Sequence, residues 1–360
     1  MLQGILLSMY FYGSKGIEVC RASQYSFPET ENVKKMNISQ IKPVLMSTRP
    51  NFLVLSISVL LLASALSLHS INLGISNNIA FNWFDFGLLL IVFLSAHAAV
   101  NLRNEIDDSR SGLDMITTKT PFSGGTGGLL DSVVAINLAE KVFWVLTLLV
   151  VLSGIYFIFS FSLLLIPLGL VGLVLIYYYT THITALPWFC WLAAGLGFGP
   201  IMLFGAFTVL IGSFVLSLPA MIASLIVFIW VNNLLLLNQI PDIHADRQIG
   251  RFNLWMRYGI RVKWLFYVSQ IVSVGLIYAF AQSLQIPLIN WALLWGIAML
   301  WIVVYFERWL KTLPRQAIAD IQKGGLVLSQ ENLTNLRPIL AMNVIINLLL
   351  PLSLALLLSF

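Results

Sequence analysis

Nine runs of apolar residues divide this chain, and its charged residues fall almost entirely between them. The runs lie near 52–70, 84–103, 136–155, 158–178, 188–210, 213–237, 264–283, 287–306 and 339–359. Each is close to the ~20 helical residues that cross the hydrocarbon of a bilayer. The chain is therefore predicted to be all-α: a polytopic membrane protein with nine transmembrane helices around a central cavity. Composition agrees, with 59% hydrophobic and 10% charged residues, where soluble domains carry about 25% charged. The net charge of +5 then reports topology and not an affinity for nucleic acid.

Lys and Arg accumulate on the cytoplasmic side of membrane proteins. With the N-terminus inside, the inner segments hold all 20 of them. Six precede the first run, Arg103, Arg110, Lys119 and Lys141 flank the second loop, five fall between Arg247 and Lys263, and five between Arg308 and Arg337. The outer loops have none, and Asp85 is their only acid. One miscounted span would scramble this separation. The expectation is thus an integral membrane protein with a cytoplasmic N-terminus and an external C-terminus. Residues 1–41 read as an N-terminal extension, disordered or upstream of a true start at Met36, and 42–360 as the nine-helix domain. Met1 to Tyr12 is apolar but lacks the basic stretch of a signal peptide. Cys20 and Cys190 are too far apart in sequence to suggest a disulfide or metal site.

Two acidic clusters interrupt the apolar pattern, both on the inner side. The first runs from Asn104 through Asp108 to Gly112 and Asp114; the second from Asn238 through Asp242 to Asp246. Residues four apart share a helical face. Asn104 pairs with Asp108 in this way, and Asn238, Asp242 and Asp246 form a second row. Gly112 is expected to end its helix and let the chain curl back to Asp114. Two such faces opposed across a cavity gather five or six oxygens. That donor set suits Mg²⁺, a hard cation that takes a few carboxylates together with substrate phosphate oxygens. Acids at the end of a membrane helix usually mark function. Arg110 and Lys119 follow the first cluster, and Arg247 and Arg251 the second. A diphosphate leaving group needs positive charge where its own charge develops. The glycine-rich stretch from Pro121 to Gly128 offers backbone N–H groups to phosphate.

These paired motifs, Asn-x-x-x-Asp-x-x-x-Gly-x-Asp at 104–114 and Asn-x-x-x-Asp-x-x-x-Asp-Arg at 238–247, resemble the UbiA superfamily of intramembrane prenyltransferases. The Gly and Asp of the first motif look most like the branch that prenylates naphthoate and related quinone precursors. Arg49-Pro50 resembles that family's N-terminal Arg-Pro, and Gly197 to Gly205 its fifth helix; the likeness covers about residues 42–359. It implies that Asn104, Asp108, Asp114, Asn238, Asp242 and Asp246 hold Mg²⁺ on a prenyl diphosphate, with Asp108 and Asp242 indispensable. Arg49, Arg110, Lys119, Arg247 and Arg251 would contact the diphosphate. An allylic cation would form and be attacked by a small aromatic acceptor. Of Tyr177, Tyr178 and Tyr179, at the end of the fourth run, Tyr179 would shield that cation with its ring.

The chain departs from the quinone branch at three places. Pro241 stands where an Arg often precedes the Asp, the loop after Tyr179 lacks a Lys, and Trp188 to Trp191 replaces a Gly-Leu-Gly-Glu. Pro241 takes away one expected phosphate contact; otherwise these changes leave the diphosphate machinery largely intact, and the acceptor is left open. A terpene cyclase, or transfer to a non-aromatic acceptor, shares the same ionisation step. A transporter would place its acids near the midplane on broken helices, and these acids lie at the inner ends. One cluster alone would read equally well as a solvated helix end; two with matched spacing on one side do not. His182 and His244 read as ordinary loop residues, and the Tyr run as part of an interfacial aromatic belt.

Overall fold

The computed structural model describes residues 38–74, 80–117, 125–130, 132–285 and 289–358. Among these residues there is no strand. A short helix α1 (Ile38–Ser47) precedes α2 (Pro50–Asn72), α3 (Trp83–Ser111), α4 (Val133–Ser160) and α5 (Leu165–Tyr178). Then come α6 (Pro187–Leu210), α7 (Leu218–Asn238), α8 (Val262–Ser283) and α9 (Ile289–Thr312). The amphipathic α10 (Arg315–Lys323) leads to α11 (Gln330–Leu357).

Among the described residues eight helices are long and apolar enough to cross a bilayer. The fourth expected span is the exception, because α5 has only 14 residues. At 1.5 Å per residue it is about 21 Å long, short of the ~30 Å hydrocarbon core. The expected count of nine therefore holds as eight full spans and one short helix.

Polar residues set the helix starts. Asn82 Oδ1 accepts from Phe84 N at 2.9 Å at the head of α3, and Ser132 Oγ from Ala135 N at 3.2 Å at the head of α4. Ser217 and Ser329 cap α7 and α11 in the same way. Such caps satisfy N–H groups that a helix leaves open at its first turn.

The helix α7 lies at the centre, packed against α6, α8 and α11. Its seam with α6 is made by glycine. A Cβ on Gly195 would stand 2.3 Å from Phe228 O, and one on Gly199 2.4 Å from Ser224 O. Only a residue without a side chain lets the two backbones approach this closely, the usual device of helices packed in lipid. Around Gly199 and Pro200 the helix widens into a π turn, residues Gly197–Phe204. Peripheral α4 presents Trp144, Leu148, Leu152 and Phe159 outward as a lipid-facing surface.

Candidate active site

The first motif closes on itself as its spacing predicts. Asn104 Nδ2 donates to Asp108 Oδ2 at 3.0 Å near the end of α3. Gly112 ends that helix with φ 75°, the left-handed conformation that glycine adopts without a side-chain clash. The chain turns back through a one-turn helix, Leu113–Ile116, which carries Asp114 to the same cavity. Ser109 Oγ donates to Asp114 Oδ2 at 3.4 Å.

The second motif differs from expectation in one respect. Asn238, Asp242 and Asp246 do not ride one continuous helix. The helix α7 stops at Asn238, a turn follows, and a separate short helix runs over Ile243–Gln248. Pro241 supplies the reason: it has no N–H to donate and disfavours helical backbone in the residue before it. All three side chains still line the cavity. Asn238 Oδ1 and Asp242 Oδ1 are buried and have no hydrogen-bond partner among the described residues. Burial, with Asp246 beside it, pushes the Asp242 carboxyl well above the usual carboxylate range. Burial raises Asp246 to about 6, outweighing the nearby Arg251.

Arg251 joins the motifs. Its guanidinium donates to Asp108, and it lies 3.5 Å from Asn104 Oδ1 and 3.6 Å from Asp246 Oδ1. Arg49 reaches the cavity from the junction of α1 and α2, where its backbone holds φ 53°. A left-handed non-glycine residue costs of order 1–3 kcal/mol and persists where the surroundings fix it. Here Glu105 does so, with its Oε2 3.6 Å from Arg49 Nη2.

Glu105 is a participant that sequence reasoning passed over. Fully buried, it accepts the N–H of Thr126 at 2.8 Å, the N–H of Gly127 at 2.7 Å and the Thr126 hydroxyl. Those N–H groups were expected to be offered to phosphate; they are instead bound to a carboxylate. Residues 118–124, which include Lys119, lie outside the described residues.

Two expected phosphate contacts are not brought to the cavity. Arg110 pairs with Glu140 at 2.9 Å and is 45% exposed. Two positions from Asp108, it leaves the helix on another face. Arg247 lies over the Phe252 ring at 5.3 Å, with its stem against Gly324. Tyr179 lines the cavity, whereas Tyr177 and Tyr178 are exposed.

The cavity measures about 610 Å³. The Asn and Asp residues, Arg49 and Arg251 line its polar part; Phe93, Val151, Phe157, Leu173, Phe198 and Met202 line an apolar part between α3, α4, α5 and α6. One histidine, His97, lines it as well, and sequence reasoning did not single it out. Its signal was present: 97, 101, 104 and 108 recur at helical spacing, and an ionisable residue inside a membrane helix is a functional candidate by default.

A polar mouth of paired Asn/Asp motifs above an apolar shaft in a helical membrane bundle can be tested against known proteins. The sequence pattern of the UbiA prenyltransferase family matches residues 61–320. The chain belongs to that family. This UbiA-family protein shares its fold with a digeranylgeranylglyceryl phosphate synthase, at TM-score 0.53 and 16% identity over 86% of this chain and 99% of that one. It is similar also to a UbiA homolog from Archaeoglobus fulgidus bound to DMAPP and Mg²⁺, at TM-score 0.52 and 15% identity over 84% and 99%. The same homolog bound to GPP and Mg²⁺ gives TM-score 0.51 and 14% identity, over the same shares. No curated protein matches the sequence.

Proposed function

We propose that this prenyltransferase moves an isoprenyl group from a prenyl diphosphate to a small aromatic acceptor, in the membrane and with Mg²⁺. The observation that carries the reading is the pair of buried oxygens, Asn238 Oδ1 and Asp242 Oδ1, that have no partner among the described residues and line the same cavity as Asp108 and Asp114. A buried acceptor without a partner costs about 1–3 kcal/mol, so these atoms point to a ligand. Hard oxygen donors fit Mg²⁺. Among the described residues no three Asp, Glu, His or Cys side chains gather into a closed cation cage. The donors therefore suit a cation that completes its shell with phosphate oxygens. The similar Archaeoglobus protein binds DMAPP and GPP together with Mg²⁺.

When bound, Mg²⁺ supplies the charge that stabilises departing diphosphate. Asn104, Asp108, Asp114, Asn238, Asp242 and Asp246 would hold it. Arg49 and Arg251, which line the same cavity, would bind and orient the diphosphate oxygens. The donor's C–O bond breaks, leaving diphosphate and an allylic cation. A ring carbon of the acceptor attacks that cation, a C–C bond forms, and the ring proton leaves to solvent with the diphosphate. Tyr179 turns its ring to the cation, and the apolar shaft keeps water away. The isoprenyl tail runs between α4 and α5, where Ile155, Ile166 and Leu170 both line the cavity and are exposed. The distribution of Lys and Arg supports a cytoplasmic orientation of both motifs.

The test is diphosphate release by the purified protein in detergent. Geranyl, farnesyl and geranylgeranyl diphosphate are supplied with Mg²⁺ and a panel of hydroxylated aromatic acceptors, and products are read by mass spectrometry. A prenylated aromatic product is expected. Release with only cyclic or hydrolysed isoprenoid would replace transfer with cyclisation. Transfer to a glyceryl phosphate alone would move the acceptor to the class named for the similar synthase.

A further inference from the structure

His97 stands on α3 seven residues before Asn104, two turns and about 10 Å deeper along the axis and on the same face. It lines the cavity beside the apolar shaft, where its ring meets Phe198 edge-on at 5.0 Å. Its Nδ1 is 2.9 Å from Ser56 Oγ. The direction of that bond follows from Ser56. On the same helix Ser58, Ser64 and Ser67 each donate back to a main-chain carbonyl at 2.8 Å. Ser56 is fully buried and has no such bond among the described residues, so His97 Nδ1 is the one acceptor its hydroxyl has there. A neutral imidazole that accepts at Nδ1 carries its hydrogen on Nε2. Among the described residues the one hydrogen bond found for the His97 ring is that at Nδ1, and the ring lines the cavity.

We propose that His97 Nε2–H holds an oxygen of the acceptor. This rests on the prenyl-transfer reading above and deepens it: the acceptor presents to His97 an oxygen that accepts the Nε2–H. Beyond its diphosphate the donor is hydrocarbon. An isoprenyl tail laid against His97 leaves the N–H unpaired in an apolar wall, at the cost of a buried donor. A flat oxygenated ring satisfies the N–H and stacks against Phe198 at once. Ser56 acts as a positioning residue, because its hydroxyl fixes which nitrogen faces the cavity. The Nε2–H then rejects rings that lack the oxygen, as buried polar groups in binding sites do.

The experiment uses the full chain in detergent with Mg²⁺, geranylgeranyl diphosphate and 1,4-dihydroxy-2-naphthoate as the acceptor probe. The expected result is that His97→Phe raises the acceptor KM about tenfold, the worth of one buried hydrogen bond, with donor KM and Mg²⁺ dependence unchanged. His97→Gln places an amide N–H near the Nε2 position and should restore most of the loss; Ser56→Ala should fall between. An unchanged acceptor KM in His97→Phe overturns the proposal. So does an equal rise in donor KM, or failure of Gln to do better than Phe, since either marks a packing role. If the wild-type protein prenylates no hydroxylated aromatic probe, the transfer reading itself fails and His97 loses its assignment with it. The wild-type control separates the two failures.

Discussion

The two acidic motifs look alike in sequence and are held differently in the fold. Asn104 and Asp108 are bonded to each other and to Arg251, and Glu105 beside them is fully engaged. Asn238 and Asp242 keep buried oxygens without partners among the described residues. One half of the site is closed by hydrogen bonds within the protein; the other keeps two buried oxygens open among the described residues. The division has a local cause. Asn104 and Asp108 of the first motif ride one helix, where residues four apart meet; Asp114 follows the break at Gly112. The second motif straddles the break at Pro241, and its Asn238 and Asp242 oxygens line the cavity without a hydrogen-bond partner among the described residues.

The largest effect should not discriminate between the halves. Asp108→Ala and Asp242→Ala are each expected to lower turnover about a thousandfold, the scale of losing groups aimed at developing charge. Membrane fractionation should find both variants inserted; wild-type turnover by either would remove the ligand assignment. Stability without cation should separate them. Asp108→Ala strips Arg251, itself nearly buried, of its main partner and should cost about 3 kcal/mol. Asp242→Ala removes an unpaired buried acid and should leave thermal unfolding unchanged or raise it. Equal shifts would break the comparison. Glu105→Ala frees the N–H groups of Thr126 and Gly127 and should cost about 2 kcal/mol, read as faster proteolysis of the loop it anchors.

A smaller effect concerns pH. Folding raises Asp246 from the ordinary carboxylate value to about 6, and raises Asp242 as well. A raised acid favours the folded state below its unfolded pKa. That stability is lost as pH climbs through the folded value. The cation-free protein should therefore melt lower at pH 7 than near pH 5. Mg²⁺ should reverse the slope, because its binding displaces those protons. A slope of the same sign with and without Mg²⁺ would argue against ligation by the second motif. The smallest effect is expected at Arg110→Ala, whose exposed pair with Glu140 should leave activity unchanged.

The spans were legible because lipid imposes one rule on every helix that crosses it, and the segregation of Lys and Arg into alternate loops pointed to their number to within α5. The pairing of Asn104 with Asp108 was legible because helical spacing survives there into three dimensions. Spacing does not say where a helix stops, so the break after Asn238 went unseen although Pro241 was noted. Nor does it say which way a flanking cation turns: Arg110 and Arg251 look equivalent in sequence, and only Arg251 enters the cavity. Glu105 and His97 were missed for a common reason. Each is defined by a partner far along the chain, Thr126 for one and Ser56 for the other.

The glycines at 195 and 199 carry a consequence for descent. Any side chain at either position collides with the backbone of α7, so the seam on that side of the molecule is closed to mutational exploration. The opposite face, built by α4 and α5, looks onto lipid and accepts apolar residues of many sizes. Relatives that diverge in the length of isoprenoid they accommodate should differ there, on the wall free to drift, while the glycine seam stays unaltered beneath changing substrates.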